Sequence, residues 1–464
     1  MNDQSAMHPT IFVIFGVTGD LAARKLLPAL IALYSKKKLP QRFSVIGFSR
    51  RAFSREEFRE LIRSRLNIKP GEFKEEDVKH FMDHMCYEQG MFNEPAAYQR
   101  LAMRINEIDS RWGQCSNKLF HLSVPPSLYE GILNNLSDSR LTEPCADETG
   151  WTRVLIEKPF GRDLETARGL DKLLGKLFKE EQIFRIDHYL AKEALQNIIA
   201  FRFSNSLFEP IWRREFVDKI HIKFLEELGM EGRGDSYDPI GALKDVGQNH
   251  MLMMLAAVTM ERPKSFGTSD IRAERAAALK KLQSASGSSL KECCARGQYA
   301  GYTDEPGVPR SSQTETYFRL KTFVNNSRWK NVPIYMESGK ALSESKVEID
   351  IYFKPAKKDG EQNILTFRIQ PDEGIKIKFF VKTPGYEFKT EPKPLKFKYS
   401  EQAAPDWQLK LTDYERLIHN AFIGDQTLFA STDEIMASWR FIADVTKAWS
   451  KVPLTIYPKG AKEI

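Results

Sequence analysis

The segment IFVIFGVTGDLAARKLLPALIALY, residues 11–34, places a short apolar run, a glycine turn and a helical stretch in direct succession. The run at residues 11–15 lacks polar alternation, as a strand buried on both faces does. Gly16 and Gly19 shape the turn, where small residues let a phosphate approach the backbone and the N-terminus of the next helix. The segment predicts a phosphate-binding turn at a strand end. Its spacing departs from GxGxxG, however, and an ordinary strand–turn–helix fits it equally well.

Outward from this segment, four more apolar runs alternate with helical stretches before residue 187. Because strands that alternate with helices form parallel sheets, we predict an α/β domain with a Rossmann-like, doubly wound parallel sheet. The predicted strands are residues 43–48, 118–124, 154–157 and 183–186.

Apolar and polar residues alternate in the later part of the chain. Period-two alternation gives a strand one buried and one wet face, which is typical of antiparallel sheets. We therefore predict an α+β domain with a large, mainly antiparallel sheet and helices, and divide the chain into residues 1–187 and 188–464. A long helix is predicted at residues 241–260, with Asp238 as N-cap and Pro239 at its first position. The predicted strands are residues 219–225, 315–324, 347–353, 364–370 and 375–382, with helices at 413–422 and 432–449.

Composition limits the kind of protein. The 464 residues, 42% of them hydrophobic, exclude a disordered chain and suffice for two or three domains. The net charge of +7 suits anionic small molecules and comes without the aromatic-basic stripe of a nucleic-acid binder. Five irregularly spaced cysteines predict no disulfide framework. With no apolar segment long enough for a membrane span and no signal-peptide pattern, we expect a soluble cytoplasmic protein.

The end of the second predicted strand carries Ser49, Arg50 and Arg51. Dinucleotide-binding folds that take NAD place an acidic residue there, which binds the ribose 2′-hydroxyl. A carboxylate would repel a 2′-phosphate, whereas an arginine can bind it through two N–H groups. The pocket is therefore predicted to prefer NADP over NAD; the alternative is a pair of solvated arginines.

The stretch RIDHYLAKE, residues 185–193, concentrates ionisable side chains at the end of a predicted strand. In open α/β sheets such strand ends face the ligand crevice. If a helix begins at His188, then His188 and Lys192 share one face with Tyr189 beside them, and the three side chains form a phosphate clamp. A solvated helix start is the alternative for each of them.

Together with other motifs, this stretch resembles the glucose-6-phosphate dehydrogenase family over nearly the whole chain. The turn GVTGDLAARKLLP fits the family pattern GxxGDLAxRKLxP, and RIDHYLAKE fits RIDHYLxKE, with Ala191 where many members have glycine. The further matching motifs are EKPFG (157–161), EGRG (231–234), DVGQNH (245–250), GKAL (339–342) and YERL (414–417).

The resemblance implies oxidation of C1 of glucose 6-phosphate to a lactone with hydride transfer to NADP, the first step of the oxidative pentose phosphate pathway. His250 matches the general base that takes the C1 hydroxyl proton, and imidazole suits this task because its pKa lies near working pH. Asp187 matches the carboxylate paired with that histidine. Asp245, five residues before His250, would lie about 140° away around an α-helix and is poorly placed to orient it.

The resemblance also implies a set of binding residues. Lys158 matches a lysine that lies between sugar and cofactor. The other implied substrate ligands are His188, Tyr189, Lys192, Glu226, Asp245 and Lys340. The implied cofactor residues are Gly16, Thr18, Gly19, Asp20, Leu21, Arg50, Tyr129 and Lys158. No metal is implied, since the reaction needs a base and a hydride acceptor, and the family predicts a homodimer or homotetramer formed through the large sheet.

The sequence departs from the family pattern five residues after Lys340, where Ser345 replaces a second basic residue near the substrate phosphate. Lys346 follows and would point to the opposite face of an extended segment. Glu337 and Asp350 stand where arginines of a second, structural NADP site would be expected, so we predict no such site. The alternatives are an NADP-dependent dehydrogenase of another aldose or aldose phosphate, and a non-catalytic homologue that binds dinucleotide.

Overall fold

The computed structural model describes residues 7–69, 71–145, 150–283, 293–357, 360–401, 411–449 and 451–464. The chain divides into two compact units, each built on its own sheet. The first unit comprises Met1–Gly161, Glu165–Ala191 and Leu411–Thr432. The second comprises Arg162–Leu164, Lys192–Lys410 and Asp433–Ile464.

The strands of the described residues follow one another along the chain as β1 to β17. They are β1 (Thr10–Phe15), β2 (Phe43–Ser49), β3 (Met85–Gln89), β4 (Asn117–Leu122), β5 (Thr152–Glu157), β6 (Ile183–Ile186), β7 (Val217–Leu225), β8 (Leu282–Gln283), β9 (Cys294–Tyr299), β10 (Tyr317–Val324), β11 (Ile334–Gly339), β12 (Lys346–Phe353), β13 (Ile364–Gln370), β14 (Gly374–Lys382), β15 (Thr390–Lys398), β16 (Phe429–Ala430) and β17 (Leu454–Tyr457).

The α-helices are numbered in the same way. They are α1 (Leu27–Ser35), α2 (Arg55–Arg65), α3 (Glu75–Asp83), α4 (Pro95–Trp112), α5 (Tyr129–Asp138), α6 (Leu164–Leu177), α7 (Glu193–Ser204), α8 (Gly234–Tyr237), α9 (Leu252–Thr259), α10 (Thr268–Lys280), α11 (Asp413–Ile423) and α12 (Thr432–Trp449). Two π-helical segments, Ala22–Leu26 and Leu243–Met251, lead into α1 and α9.

The sheet of the first unit has the strand order β16-β6-β5-β4-β1-β2-β3. Strands β1 to β6 pair in parallel, and the short β16 adds an antiparallel edge. The predicted doubly wound sheet is thus confirmed. Because β1, β2 and β4 are buried along their whole length, their sequences are continuous apolar runs.

The sheet of the second unit has the strand order β15-β14-β13-β12-β7-β11-β10-β9-β17, with β8 paired to β10. Most neighbours are antiparallel, but β7 and β11 are a parallel pair, and so are β9 and β17. The predicted large, mainly antiparallel sheet is confirmed. In β7 buried residues alternate with half-buried ones, which produces the period-two pattern seen in its sequence.

The predicted helix over residues 241–260 forms, but its cap was predicted wrongly. Asp238 ends α8 and accepts a hydrogen bond from the hydroxyl of Tyr302 at 3.0 Å. The first helical N–H groups instead meet a residue distant in sequence: the amide of Ala242 donates to the backbone oxygen of Glu315 (3.0 Å), and the amide of Leu243 to its carboxylate (3.1 Å). A local sequence pattern cannot reveal a cap that comes from another segment.

The compact units differ from the predicted division at residue 187. The first unit continues to Ala191 and takes in Leu411–Thr432, which the linear division gave to the second domain. The reason is burial, because Leu417 and Ile418 of α11 are fully buried in the same apolar core as Leu30 of α1. The assignment of the two parts to cofactor and substrate stays a prediction.

A disulfide joins Cys115 and Cys145, whose Cα atoms lie 6.2 Å apart, although the cysteine spacing predicted no disulfide framework. Cys86, Cys293 and Cys294 are free thiols. None of the helices in the described ranges combines the length and the apolar character that a membrane crossing needs. The first six residues, on which the signal-peptide prediction partly rests, lie outside the described ranges.

Candidate active site

The turn after β1 has the tight geometry that a phosphate-binding turn requires. Gly16 adopts φ +80°, and a Cβ at this position would lie 2.3 Å from the backbone oxygen of Ser123, so only glycine fits. The amide of Gly19 donates to the oxygen of Gly16 at 2.9 Å and closes the turn. The helix then begins at Asp20 and Leu21. The cradle of small residues at a helix N-terminus fits a dinucleotide phosphate.

The loop after β2 carries Arg50, whose side chain is exposed. Among the described residues, no carboxylate forms an ion pair with Arg50. The backbone of this loop is held from β3, where the hydroxyl of Tyr87 donates to the backbone oxygen of Ser49 at 2.9 Å and the side-chain amide of Gln89 donates to the backbone oxygen of Arg50 at 3.5 Å. Burial raises the pKa of the Tyr87 phenol, which therefore keeps its proton. An exposed guanidinium on a fixed loop can bind an anion.

The end of β5 carries Glu157 and the half-buried Lys158. The hydroxyl of Tyr129 donates to the backbone oxygen of Glu157 at 3.0 Å, and the hydroxyl of Tyr414 donates to its carboxylate at 3.0 Å. Tyr129 is only 1% exposed and so offers a ligand little surface. Nε2 of the fully buried His121 lies 3.3 Å from the same carboxylate. Lys158 thus follows a residue that two tyrosine hydroxyls hold in place by hydrogen bonds.

The segment after β6 is a turn, where the sequence suggested the first turn of a helix. The carboxylate of Asp187, 2% exposed, accepts the amide of Tyr189 at 3.0 Å, and its backbone oxygen accepts the amide of Leu190 at 3.0 Å. Helix α7 begins only at Glu193, with Lys192 as its N-cap. The proposed helical i, i+4 pairing of His188 with Lys192 is therefore wrong, because Asp187 closes a turn before the helix can start.

His188 and Tyr189 occupy that turn side by side. Their ring centroids lie 4.9 Å apart, with His188 half-buried and Tyr189 3% exposed. The strand-end residues of the first unit, Gly16, Arg50, Lys158 and Asp187, all follow the carboxyl ends of parallel strands. This is the edge where open α/β sheets bind ligands.

In the second unit, the candidate residues Glu226 and Lys340 meet directly. They follow the carboxyl ends of β7 and β11, and these strands run parallel with Leu225 opposite Gly339. Nζ of Lys340 lies 2.6 Å from the carboxylate of Glu226 and 5.5 Å from the ring centre of Tyr237. Lys340 is 5% exposed. The Glu226 side chain is 33% exposed, so a charge-balanced pair with an accessible carboxylate at paired strand ends is suited to binding sugar hydroxyls.

His250 and Asp245 lie on the π-helical segment Leu243–Met251. His250 is 2% exposed and its ring lies nearly parallel to that of Phe224, with centroids 6.3 Å apart. Since π-helical hydrogen bonds join residues five apart, Asp245 and His250 lie near one face. The 140° separation assumed from the sequence is therefore wrong for this helix. The half-buried Asp245 shares the helix face of the candidate base.

Glu315 positions two candidate residues of the second unit and was not predicted from the sequence. It caps the helix that carries His250, and its neighbour Thr316 accepts the backbone amide of Lys340 at 2.9 Å. Burial raises the pKa of the Glu315 carboxyl. Gly241 has φ +75°, and a Cβ there would lie 2.5 Å from the Glu315 carboxylate. No local pattern signals this contact, because the segments are 72 residues apart.

The first unit has a Rossmann-ordered sheet with the geometry of a phosphate-binding turn. The second has a large sheet with a lysine–carboxylate pair at its strand ends, and a buried histidine on a helix. Together they define a dinucleotide-dependent oxidoreductase. Two family models match the chain: the NAD binding domain of glucose-6-phosphate dehydrogenase at residues 13–197 and its C-terminal domain at residues 199–463. The chain belongs to the glucose-6-phosphate dehydrogenase family.

Relatives match over nearly the full length. The glucose-6-phosphate 1-dehydrogenase of Borreliella burgdorferi is 40% identical, and the match covers 97% of this chain and 95% of that protein. A solved glucose-6-phosphate dehydrogenase in complex with its substrate glucose 6-phosphate has a TM-score of 0.91 at 33% identity, with 99% and 96% of the two chains covered. The glucose-6-phosphate 1-dehydrogenase from Mycobacterium avium has a TM-score of 0.83 at 32% identity, covering 98% and 95%.

Proposed function

We propose that the protein oxidises C1 of D-glucose 6-phosphate to 6-phosphoglucono-1,5-lactone with NADP as hydride acceptor. The observation that carries this proposal is the match, over 99% of the chain, to a dehydrogenase solved with glucose 6-phosphate. The family motifs provide the strand-end Lys158 and the buried His250, and the loop after β2 provides the exposed Arg50.

His250 is the proposed general base. Imidazole is neutral over much of the physiological pH range, so it can take the proton of the C1 hydroxyl as the C–H bond breaks. Its burial keeps competing water away, and the parallel ring of Phe224 limits its rotation. Asp187 is the proposed carboxylate partner that orients the ring and stabilises the imidazolium. NADP, when bound, supplies the acceptor for the hydride that leaves C1.

NADP is proposed over NAD because of Arg50. An exposed guanidinium at the end of β2 can hold a 2′-phosphate through two N–H groups. The turn residues Gly16, Thr18, Gly19, Asp20 and Leu21 are the proposed binders of the pyrophosphate.

The proposed sugar contacts divide by chemistry. His188, Tyr189 and Lys192 hold the 6-phosphate, since a phosphate is best bound by cations and hydroxyl donors. Glu226 and Asp245 accept hydrogen bonds from sugar hydroxyls, because an ionised carboxylate can only accept. Lys340 neutralises Glu226, and Lys158 lies between sugar and cofactor. No metal ion is part of the proposal.

A second candidate, another aldose or aldose phosphate as substrate, is favoured by Ser345. Its hydroxyl accepts the amide of Glu227 at 2.8 Å and carries no charge. The neighbouring Lys346 pairs with Glu344 at 2.6 Å and with Glu348 at 3.4 Å. Neither residue replaces the missing cation near the phosphate.

The test follows reduced cofactor by its absorbance with glucose 6-phosphate against glucose, and with NADP against NAD. Turnover with glucose 6-phosphate and NADP is expected. Turnover with a different sugar but not with glucose 6-phosphate would favour the second candidate. The absence of turnover with every sugar phosphate tested would contradict the proposal that the protein is an enzyme.

His250→Asn tests the role of the base. Asparagine is a smaller polar side chain that cannot take a proton, so turnover is expected to fall by a factor on the order of 100 to 10,000. Binding of glucose 6-phosphate, measured by calorimetry, is expected to change little. A variant that loses binding as well would identify His250 as a substrate ligand.

We further propose a homodimer or homotetramer assembled through the large sheet, and a cytoplasmic location. The partners are the small-molecule substrate and the dinucleotide, with no nucleic acid or membrane.

A further inference from the structure

Helix α11 comes from the end of the chain but lies in the first unit. It contains the motif YERL, residues 414–417, which the proposed reaction does not use. Its residue Tyr414 donates a hydrogen bond to the carboxylate of Glu157, 257 positions earlier, at 3.0 Å. Nη1 of Arg416 donates to the backbone oxygen of Ala191 at 2.9 Å. The motif therefore contacts the end of β5, next to Lys158, and the turn after β6, which carries other candidate residues of the first unit.

The first contact lies directly before Lys158. The Glu157 carboxylate meets the Tyr414 hydroxyl and Nε2 of His121, and its backbone oxygen meets the Tyr129 hydroxyl. Burial raises the pKa of both phenols, and the charge of Glu157 adds to the effect, so both hydroxyls remain donors. With 13% of its side chain exposed, Glu157 depends on these donors rather than on water.

The second contact lies at the end of the turn that holds Asp187, His188 and Tyr189. Ala191 ends both this turn and the corresponding segment of the first unit. Its backbone oxygen accepts a hydrogen bond from the charged guanidinium of Arg416. Charge-assisted hydrogen bonds are stronger than neutral ones, so the contact restrains the turn.

We propose that Tyr414 and Arg416 are positioning residues, through which α11 sets the placement of Lys158 and of the turn carrying Asp187, His188 and Tyr189. The inference rests on the proposed function, in which Lys158, His188 and Tyr189 contact substrate and Asp187 orients the base. Its physical basis is that a small displacement of a binding or catalytic group costs far more rate than stability.

Tyr414→Phe is the first test, because it removes one hydroxyl and keeps the buried ring. The expected result is a fall in kcat on the order of tenfold with a smaller change in KM. Arg416→Lys is the second test. Lysine keeps the charge but lacks the planar guanidinium, and the expected result is a rise in KM for glucose 6-phosphate that exceeds the change in kcat.

Glu415→Gln is the matched control on the same helix. Glu415 is 3% exposed and pairs at 2.5 Å with Lys36, the residue that follows α1. Removing one partner of a buried ion pair is expected to lower the melting temperature. Its kcat and KM are expected to stay at the wild-type values, because the strand ends are untouched.

A double-mutant cycle adds a readout that a purely structural role would not change. Glu157→Gln combined with Tyr414→Phe is expected to be non-additive in kcat, whereas Glu157→Gln combined with Glu415→Gln is expected to be additive. Circular dichroism verifies that each variant is folded.

The outcomes separate the two proposals. If the wild-type protein does not turn over glucose 6-phosphate, the proposed function itself is wrong. An active wild type whose Tyr414→Phe and Arg416→Lys variants keep wild-type kcat and KM, like Glu415→Gln, overturns the positioning role. An additive cycle for Tyr414 and Glu157 overturns it as well.

Discussion

At the scale of single residues, charge decides what the proposed pockets can bind. Arg50 stands at the strand end where an acidic residue would select NAD, and the described residues offer it no carboxylate. Its guanidinium is thus available to a phosphate. Its neighbour Arg51 is also exposed, so the two positions can be compared directly.

Arg50→Ala is expected to raise the KM for NADP by a factor of roughly 10 to 100, since a hydrogen bond to a charged group contributes about 1.5–3 kcal/mol. The KM for NAD is expected to change little, because NAD lacks the 2′-phosphate. Arg51→Ala serves as control in the same steady-state assay. Equal effects of the two substitutions would contradict a specific role for Arg50.

Ser345→Lys tests the proposal that this chain lacks a cation near the substrate phosphate. Because Lys346 is engaged by Glu344 and Glu348, it is not expected to compensate for the serine. The new ammonium group is expected to lower the KM for glucose 6-phosphate by roughly tenfold. An unchanged KM would indicate that the phosphate is already fully satisfied by other groups.

At the scale of elements, the helix that carries Asp245 and His250 depends on a cap from another segment. Glu315 accepts the amides of Ala242 and Leu243 and is packed against Gly241. The segment is π-helical, a form that is rare and often found at functional sites. The sequence pattern predicted the position of this helix. The predictions of its cap and of the angle between Asp245 and His250 assumed an ordinary α-helix and were wrong.

Glu315→Ala is expected to lower the free energy of unfolding by about 1–2 kcal/mol, as other lost N-caps do. Glu315→Gln retains an acceptor oxygen and is expected to cost less. Urea titrations of the three proteins measure the difference. Equal losses for the two variants would contradict a capping role of the side-chain oxygen.

The same carboxyl predicts a pH dependence. Burial raises the pKa of the Glu315 carboxyl in the folded state above its value in the unfolded chain. The protonated carboxyl therefore makes its full contribution to the stability of the fold at pH values below the pKa of the unfolded state. That contribution is lost as pH rises through the raised folded pKa. The stability of the wild type relative to Glu315→Gln is therefore expected to decrease with rising pH, and a constant difference would contradict the expectation.

At the scale of the whole molecule, two acidic residues of the second unit support the prediction that the protein has no structural dinucleotide site, for which the family resemblance implies arginines at these positions. Glu337 lies 3.0 Å from His221 and accepts the Tyr317 hydroxyl at 2.9 Å. Asp350 lies 3.0 Å from Lys223 and accepts the Thr366 hydroxyl at 2.6 Å. These carboxylates are held by their own partners, and they repel phosphate.

The gel-filtered protein is therefore expected to carry no tightly held dinucleotide. The ratio of absorbance at the nucleotide and protein maxima, together with mass spectrometry of a denatured sample, measures this directly. A stoichiometric amount of NADP that survives filtration would contradict the expectation. The proposed dimer or tetramer is measured independently by light scattering on the same sample.

Local patterns in the sequence predicted much of this protein. Continuous apolar runs predicted the buried parallel strands, period-two alternation predicted the second sheet, and the motif residues predicted the candidate site. These predictions were possible because burial and backbone geometry restrict which side chains a local segment can carry. The tertiary structure alone decided the cap by Glu315, the π-helical placement of Asp245 with His250, and the return of α11 to the first unit. Each depends on contacts or hydrogen bonds between segments far apart in the chain, or on a helix type that overrides local propensity, and such interactions leave no periodic signal in the sequence.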